Sequence, residues 1–381
     1  MSDMSLTDAS TGLQGAPYSS DAGYSVSGAG DVNGDGYDDV LIGSWDDEGV
    51  AYLVLGSASG IPSMALGNAD TVFFHQQYFD LLGEAVSRAG DVNGDGYDDV
   101  LLGALGHADF KGAAYIVLGS AEPVDSLAVA DADTTLKGEA EGDYAGDAVA
   151  GGGDINGDGY DDILVGAKYH SDEAGVAYLL LGSDDGLPDM ELDEGEAVFE
   201  GEASGDRAGE AVAVVGDVNG DGFDDLAIGA PRADGQVKNA GAIYFLLGSA
   251  AGVPSMVLGD ADAIFTGEER GDRAGEAVAG AEDANNDGFD DLLVGAPEYK
   301  DGSWAGAVYL LLGTSTGLTS MSLSDSQAKL TGEPRDYGGT SVAGAGDVNG
   351  DGYGDLLIGA PGESTVGEDA GAAFLVFSFG G

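Results

Sequence analysis

The 381-residue chain contains no cysteine, only 9 prolines and 2 tryptophans, and 12 lysine and arginine residues against 70 aspartate and glutamate residues. The absence of cysteine excludes disulfides, thiolate metal sites and a cysteine nucleophile, but does not indicate a compartment. The formal net charge of −58 would repel nucleic acid phosphates and anionic membrane surfaces, so we expect neither as a partner. The same charge would also keep a protein soluble in a salty medium.

Long apolar segments are missing as well. No run of 18 apolar residues occurs, and the amino-terminal sequence MSDMSLTDAS has neither a basic region nor an apolar region after it. We therefore expect a soluble chain with no membrane insertion and no signal peptide in the sequence given. Because 43% of the residues are hydrophobic, the chain can form one large core or several small ones.

An acidic motif occurs six times in this glycine-rich sequence. Its copies begin at Asp31, Asp91, Asp154, Asp217, Asp283 and Asp347, so successive copies start 60, 63, 63, 66 and 64 residues apart. Short apolar runs follow each copy, such as DDLAIGAP at 224–231 and GAIYFLLGS at 241–249, and none has a sustained 3.6-residue period. A long period built from such runs predicts one four-stranded antiparallel sheet per repeat.

Sheets of this kind can bury their faces against one another when they are arranged around an axis, so the sequence predicts an all-β, six-bladed β-propeller. An open stack of six units is the alternative. The segment 320–347 aligns with 3–31, so we expect residues 2–14 to supply the outer strand of the carboxy-terminal blade and close the ring. The predicted single domain, 1–381, has blades at approximately 15–76, 77–139, 140–201, 202–267, 268–332 and 333–381, the last completed by 2–14.

The acidic motif reads D-x-N-x-D-G-[YF]-x-D and predicts a calcium loop. Side-chain oxygens at positions 1, 3, 5 and 9, with the carbonyl of position 7, form an all-oxygen donor set that suits Ca²⁺, and glycine at position 6 permits a sharp turn. We expect six calcium ions. The predicted ligands are Asp31, Asn33, Asp35, Tyr37 and Asp39; Asp91, Asn93, Asp95, Tyr97 and Asp99; Asp154, Asn156, Asp158, Tyr160 and Asp162; Asp217, Asn219, Asp221, Phe223 and Asp225; Asp283, Asn285, Asp287, Phe289 and Asp291; and Asp347, Asn349, Asp351, Tyr353 and Asp355.

The alternative for these loops is that Asp, Asn and Gly simply favour hairpin turns. Turn chemistry would not keep Asp at positions 5 and 9 in all six copies, so the recurrence favours metal binding. The loop is not an EF-hand, because position 12 of the first copy is Ile42 where an EF-hand has a bidentate glutamate.

These loops, together with IGAP at 228–231, VGAP at 294–297 and IGAP at 358–361, resemble the FG-GAP repeats of integrin α-subunit propellers and their bacterial relatives. The resemblance covers essentially the whole chain and implies a calcium-binding propeller. Integrin propellers differ in having seven blades and calcium loops in only some of them. The resemblance also implies that the face opposite the calcium loops meets a partner, as the aromatic-rich upper face of integrin propellers does.

That opposite face concentrates scarce residue types. Nine of the 12 basic residues and both tryptophans fall in its loops, and aromatic and arginine side chains are frequent anchors of interfaces and sugar sites. The alternative is that the basic residues only neutralise neighbouring carboxylates. The candidate contact residues are Trp45, Tyr144, Tyr169, Arg207, Arg273, Tyr299, Trp304 and Tyr337.

The sequence contains no G-x-S-x-G, H-E-x-x-H or phosphate-binding glycine-lysine motif, so we do not expect an enzyme. The favoured function is an extracellular or cell-surface adhesion or protein-interaction module stabilised by calcium. A calcium-stabilised carbohydrate-binding propeller is the alternative, and a propeller hydrolase is a less favoured one.

Overall fold

Each repeat of the sequence forms one small sheet, and the six sheets are the blades of a β-propeller, as predicted. The computed structural model describes residues 11–15, 21–45, 49–75, 79–122, 124–235, 237–300, 303–364 and 371–378. The chain divides into two compact units, Met1–Gly152 with Gly182–Glu191, and Gly153–Leu181 with Leu192–Gly381. Within the described residues no helix has the length and apolar character needed to cross a membrane.

The strands recur in the same order in every repeat. First strands span Ala22–Gly30, Leu82–Gly90, Ala148–Gly153, Ala211–Gly216, Ala277–Gly280 and Ser341–Gly346. Second strands span Asp39–Ser44, Asp99–Ala104, Asp162–Ala167, Asp225–Ala230, Leu292–Ala296 and Asp355–Ala360. Third strands span Val50–Val54, Ala113–Val117, Val176–Leu180, Ala242–Leu246, Ala307–Leu311 and Ala372–Val376. Fourth strands span Thr71–Phe74, Thr134–Lys137, Ala197–Glu200, Ala263–Thr266 and Ala328–Thr331.

Between the third and fourth strands lies a two-residue strand followed by one turn of 3₁₀ helix. The short strands are Met64–Ala65, Leu127–Ala128, Met190–Glu191, Met256–Val257 and Met321–Ser322, and the 3₁₀ turns are Leu66–Asn68, Val129–Asp131, Leu192–Glu194, Leu258–Asp260 and Leu323–Asp325. Two four-residue helices, His107–Phe110 and His170–Glu173, follow the second strands of their repeats.

The blades differ from the predicted four-stranded sheets because the short strands add to them. Leu127 pairs in parallel with Phe73 of the preceding repeat, and Phe265 pairs in the same way with Met321 of the following repeat. Several blades therefore have five strands, the fifth being parallel and supplied by the next repeat.

The amino-terminal segment makes a pairing of the same kind. Leu13–Gln14 pairs in parallel with Met64–Ala65 of the first repeat. Residues 2–10 lie outside the described residues, so the pairing of 2–14 with the carboxy-terminal blade and the blade boundaries stay predictions.

The core of each unit lies between consecutive sheets. In the first unit Leu41 and Phe73 of the first repeat pack in one cluster with Leu102 and Tyr115 of the second. The sheets can approach closely because Gly43, on the second strand of the first repeat, has no side chain. A Cβ atom at this position would lie 2.0 Å from the carbonyl oxygen of Gly83. Covered on both faces, the second and third strands of the second repeat read as continuous apolar runs.

Candidate metal centres

The acidic loops join the first and second strands of every repeat, and position 1 organises each loop. In the first copy the Asp31 carboxylate accepts the backbone N–H of Asp35 at 3.0 Å and that of Gly36 at 2.8 Å. The equivalent pair of bonds is present in the copies that begin at Asp91, Asp154, Asp217, Asp283 and Asp347. The turn thus holds the side chain of position 1 over the loop.

Positions 3 and 5 face the same side of the turn. The Asn219 amide oxygen accepts the N–H of Asp221 at 2.8 Å, and the Asp221 carboxylate accepts the N–H of Phe223 at 3.2 Å. In the fifth copy the amide oxygen of Asn285 is buried and has no hydrogen-bond partner among the described residues. An unsatisfied buried oxygen is costly, so a ligand that accepts its lone pair would stabilise the loop.

Position 9 is a buried aspartate whose oxygens accept bonds from the backbone. The Asp99 carboxylate accepts the N–H of Val92 at 3.0 Å through Oδ2 and that of Gly119 at 2.8 Å through Oδ1. Burial is the main cause that raises the pKa of Asp99, Asp225 and Asp291 to about 7, and the backbone bonds oppose it. A cation beside such a carboxylate would favour its charged form and offset the loss of hydration.

The oxygen donors of the loop are of the type that Ca²⁺ binds, but the structure does not bring all of the predicted ligands into one group. Positions 1, 3 and 5 come together in the loop, whereas the position 9 oxygens already have backbone partners. Within the described residues no three His, Cys, Asp or Glu side chains form a group that could hold a metal ion. The residues that would hold calcium are positions 1, 3 and 5, and position 9 would have to share an oxygen between a backbone N–H and the ion.

Position 8, which was not among the predicted site residues, links consecutive loops. The Asp98 carboxylate accepts the N–H of Asp31 at 2.7 Å, and in the second unit Asp224 and Asp290 accept the N–H of Asp154 and Asp217, each at 2.9 Å. The sequence signal is the paired D-D at positions 8 and 9, which the sixth copy replaces with Gly354 and Asp355. Adjacent acidic loops are thus joined by a charged hydrogen bond to the backbone.

The candidate ligand-face aromatics lie in stacked pairs. Tyr144 stacks on Phe110 with 5.1 Å between ring centroids, and Trp304 stacks on Tyr337 at 6.1 Å with an interplanar angle of 10°. Trp45 stacks on Tyr24 at 5.5 Å. Phe110 and Tyr24 were not among the predicted contact residues.

The remaining candidates make contacts within the protein. The Arg207 guanidinium lies 4.6 Å from the Tyr169 ring centroid and 2.9 Å from the Glu173 carboxylate, and Arg273 lies 3.3 Å from Glu298. These pairs agree with the alternative that arginines neutralise nearby carboxylates.

Tyr299 is buried, with 6% of its surface exposed, and lies beneath the Lys329 ammonium at 4.5 Å from its ring centroid. It is therefore not presented to solvent. His107 contacts the Tyr115 hydroxyl at 3.1 Å.

Comparison with known proteins identifies the same six repeats. The family model described as FG-GAP repeat matches residues 22–54, 83–117, 145–180, 208–246, 274–311 and 338–376. The chain is 32% identical over 256 residues to integrin alpha pat-2 of Caenorhabditis briggsae, covering 63% of this chain and 20% of that protein. It is 37% identical over 178 residues to integrin alpha-IIb of Homo sapiens, covering 44% of this chain and 16% of that protein.

A further similar protein is the phosphatidylinositol-glycan-specific phospholipase D of Rattus norvegicus, 36% identical over 156 residues. This match covers 38% of the chain and 17% of the phospholipase. The chain thus spans one fifth or less of the length of these three relatives.

Proposed function

The chain belongs to the FG-GAP repeat family, and on that premise we propose that it is a calcium-binding, non-catalytic β-propeller that acts as an adhesion or protein-interaction module. Calcium has a structural role in the six acidic loops, and the opposite face contacts the ligand. The integrin alpha names of several relatives support adhesion and an extracellular or cell-surface location. We include the non-catalytic role in the proposal although a phospholipase D is among the similar proteins.

The donor set of the loops carries the calcium proposal. Asn285 supplies a buried amide oxygen that has no partner in the part of the chain that the structure describes, and the neighbouring acidic residues supply carboxylates in the same turn. Oxygen donors of mixed type at one turn favour Ca²⁺ over a softer metal. Six ions would change the formal charge from −58 to −58 + 12 = −46 and reduce the repulsion between loop carboxylates.

Counting bound calcium tests this proposal. By native mass spectrometry we expect six ions on the unaltered chain, and five on Asn285→Ala, which removes the orphaned amide oxygen. Asp193→Ala is the matched control, because Asp193 is an exposed acidic residue outside the loops and its loss should leave six ions. Equal counts for Asn285→Ala and the unaltered chain would contradict the assignment of that oxygen.

Calcium should also stabilise the fold. A ligand at 100 times its Kd stabilises the folded state by about 2.7 kcal/mol per site, so an excess of EGTA should lower the melting temperature markedly. Magnesium is the control, because it demands a tighter octahedral shell and should restore less stability. A melting temperature that EGTA leaves unchanged at low salt would refute a structural role for calcium.

We propose that the candidate ligand face binds a protein, and a glycan is the second candidate ligand. The stacked pair Trp304 and Tyr337 is partly exposed and presents flat aromatic surface of the kind that packs against interfaces or sugar rings. Retention of cells on a surface coated with the protein should fall for Trp304→Ala, and should not fall for Phe74→Ala, an exposed aromatic on an outer strand. Saturable hits on a glycan array that Trp304→Ala abolishes would favour the carbohydrate-binding alternative.

A further inference from the structure

In both units, position 8 of one acidic loop binds position 1 of the loop before it through two hydrogen bonds. The Asp98 carboxylate accepts the N–H of Asp31 at 2.7 Å, and the Asp98 N–H donates to the Asp31 carbonyl at 3.3 Å. The following repeat therefore holds both backbone groups of position 1. The equivalent pairs in the second unit are Asp224 with Asp154 and Asp290 with Asp217.

A glycine just before position 1 makes room for this carboxylate. A Cβ atom at Gly30 would lie 2.2 Å from Oδ2 of Asp98, and a Cβ atom at Gly216 would lie 2.2 Å from Oδ2 of Asp290. Atoms that are not bonded to each other do not approach so closely, so a side chain at this position would displace the carboxylate from its hydrogen bond. The loop thus provides a space that fits the position 8 carboxylate of the next repeat.

The contact between the fifth and sixth repeats exchanges these two residues. Position 8 of the sixth loop is Gly354, and the residue before position 1 of the fifth loop is Glu282. The backbone half of the contact is kept, because the Gly354 N–H donates to the Asp283 carbonyl at 3.0 Å. Glu282 has a φ of 52°, in the same left-handed region as the 71° of Gly30, so this conformation alone does not require glycine. Glycine before position 1 thus accompanies a carboxylate at position 8.

The backbone of position 1 determines where its side chain lies in the loop. The Asp31 carboxylate accepts the N–H groups of Asp35 and Gly36, and the bonds from Asp98 fix the backbone from which that carboxylate projects. A group that orients a metal ligand without touching the ion typically changes the affinity for the metal about 10- to 100-fold. Position 8 has this relation to the ligand at position 1 of the preceding loop.

We propose that the aspartate at position 8 is a positioning residue for the calcium site of the preceding repeat. Asp98 serves the first loop, Asp224 the third and Asp290 the fourth. The inference rests on the proposed calcium function and adds that the affinity of one loop depends on a residue of the next. The carboxylate holds position 1 in place before the ion arrives, so less ordering is needed on binding. The fifth loop lacks this dependence, because Gly354 has no carboxylate.

The charge of position 8 offers an alternative explanation that substitutions can separate. A nearby negative charge attracts calcium from any position, whereas positioning requires a hydrogen-bond acceptor at one place. Asp98→Asn keeps an acceptor oxygen and loses the charge. Asp98→Glu keeps the charge, but its extra methylene group moves the carboxylate out of the space beside Gly30.

Calcium titrations of the deuterated, ¹⁵N-labelled full chain, followed by TROSY NMR at about 0.15 M salt, can measure the loops separately. The Gly36 amide donates to the Asp31 carboxylate at 2.8 Å, and the Gly96 amide donates to the Asp91 carboxylate at 2.9 Å. Their chemical shifts therefore report calcium in the first and second loops. Asp98→Ala should weaken binding at the first loop about 10-fold or more, and should change binding at its own loop by less than about 3-fold.

Asp98→Asn should bind calcium at the first loop within about 3-fold of the unaltered chain, whereas Asp98→Glu should bind as weakly as Asp98→Ala. Asp193→Ala is the matched control, because it removes the same charge from an exposed position outside the loops and should leave both titrations unchanged. In the second unit, Asp290→Ala should weaken the fourth loop, which the Gly222 amide reports, in the same way.

The titration at Gly96 also checks that each variant is folded. If Asp98→Glu binds as the unaltered chain does and Asp98→Asn binds as weakly as Asp98→Ala, charge explains the effect and the positioning role is overturned. Undiminished binding at the first loop of Asp98→Ala, or equal weakening of both loops, would overturn it as well. If calcium shifts neither amide in the unaltered chain, the calcium proposal itself fails, and this inference fails with it.

Discussion

The bond from Asp98 to the backbone of Asp31 makes a quantitative prediction. Asp98→Ala leaves the Asp31 N–H without its 2.7 Å acceptor. A hydrogen bond to a charged group stabilises a folded contact by about 1.5–3 kcal/mol. Removing one negative charge from the crowded acidic loops relieves repulsion and so recovers about 1 kcal/mol of that stability. We expect a net loss of about 0.5–2 kcal/mol in the local stability of the contact between the first two repeats.

Native-state hydrogen exchange is the assay, because it measures the opening of that contact separately from the rest of the chain. A loss of about 0.5–2 kcal/mol should raise exchange of the amides at 31–37 about 2- to 30-fold. Asp38→Ala is the matched control at the same loop position, since its carboxylate accepts no hydrogen bond within the described residues. It should change exchange by less than about 0.5 kcal/mol in dilute solution. Equal effects of the two variants would refute the linking role of position 8.

Three further variants test the packing and the charges. Gly43→Ala should destabilise the protein by about 1–3 kcal/mol in urea unfolding, because its methyl group would lie 2.0 Å from the Gly83 oxygen, whereas Gly28→Ala has open space and should be tolerated. Asp272→Asn should raise the stability at pH 8 by up to about 3 kcal/mol, because burial raises the pKa of Asp272 from 3.8 to about 6 and so disfavours the charged carboxylate in the folded state. This gain should shrink as the pH falls through 6 and vanish near pH 4 in a pH series of melts, and a constant gain would contradict it. Phe265→Ala, a fully buried aromatic, should cost about 3–5 kcal/mol, and a cost below about 1 kcal/mol would show that the site is not closely packed.

The period of the acidic motif was enough to predict the blades and their strand order. A repeat of this length without helical periodicity leaves few ways to bury two-faced sheets, and the spacing locates each loop between two strands. Glycine at position 6 also predicted a sharp turn in each loop.

Features that depend on contacts between repeats were not visible in the sequence. Met256–Val257 is too short to show a strand pattern, and it forms a strand only because Phe199–Glu200 offers it an open edge. Asp224 appeared to be an ordinary loop residue, since its partner Asp154 lies 70 residues away. Tyr299 was predicted from its loop to be a surface residue, but the neighbouring Tyr309 and Lys329 cover it.

The short parallel strands affect more than the strand count of a blade. The outer strand of a blade would otherwise present a row of free N–H and C=O groups, and such an edge can recruit strands from other molecules. Here a segment of the next repeat covers part of that edge, as Leu127–Ala128 does for Phe73–Phe74. If the chain were cut between two repeats, the outer strand of the repeat before the cut would lose its cover. We therefore expect the piece that carries this strand to be the more prone to aggregate.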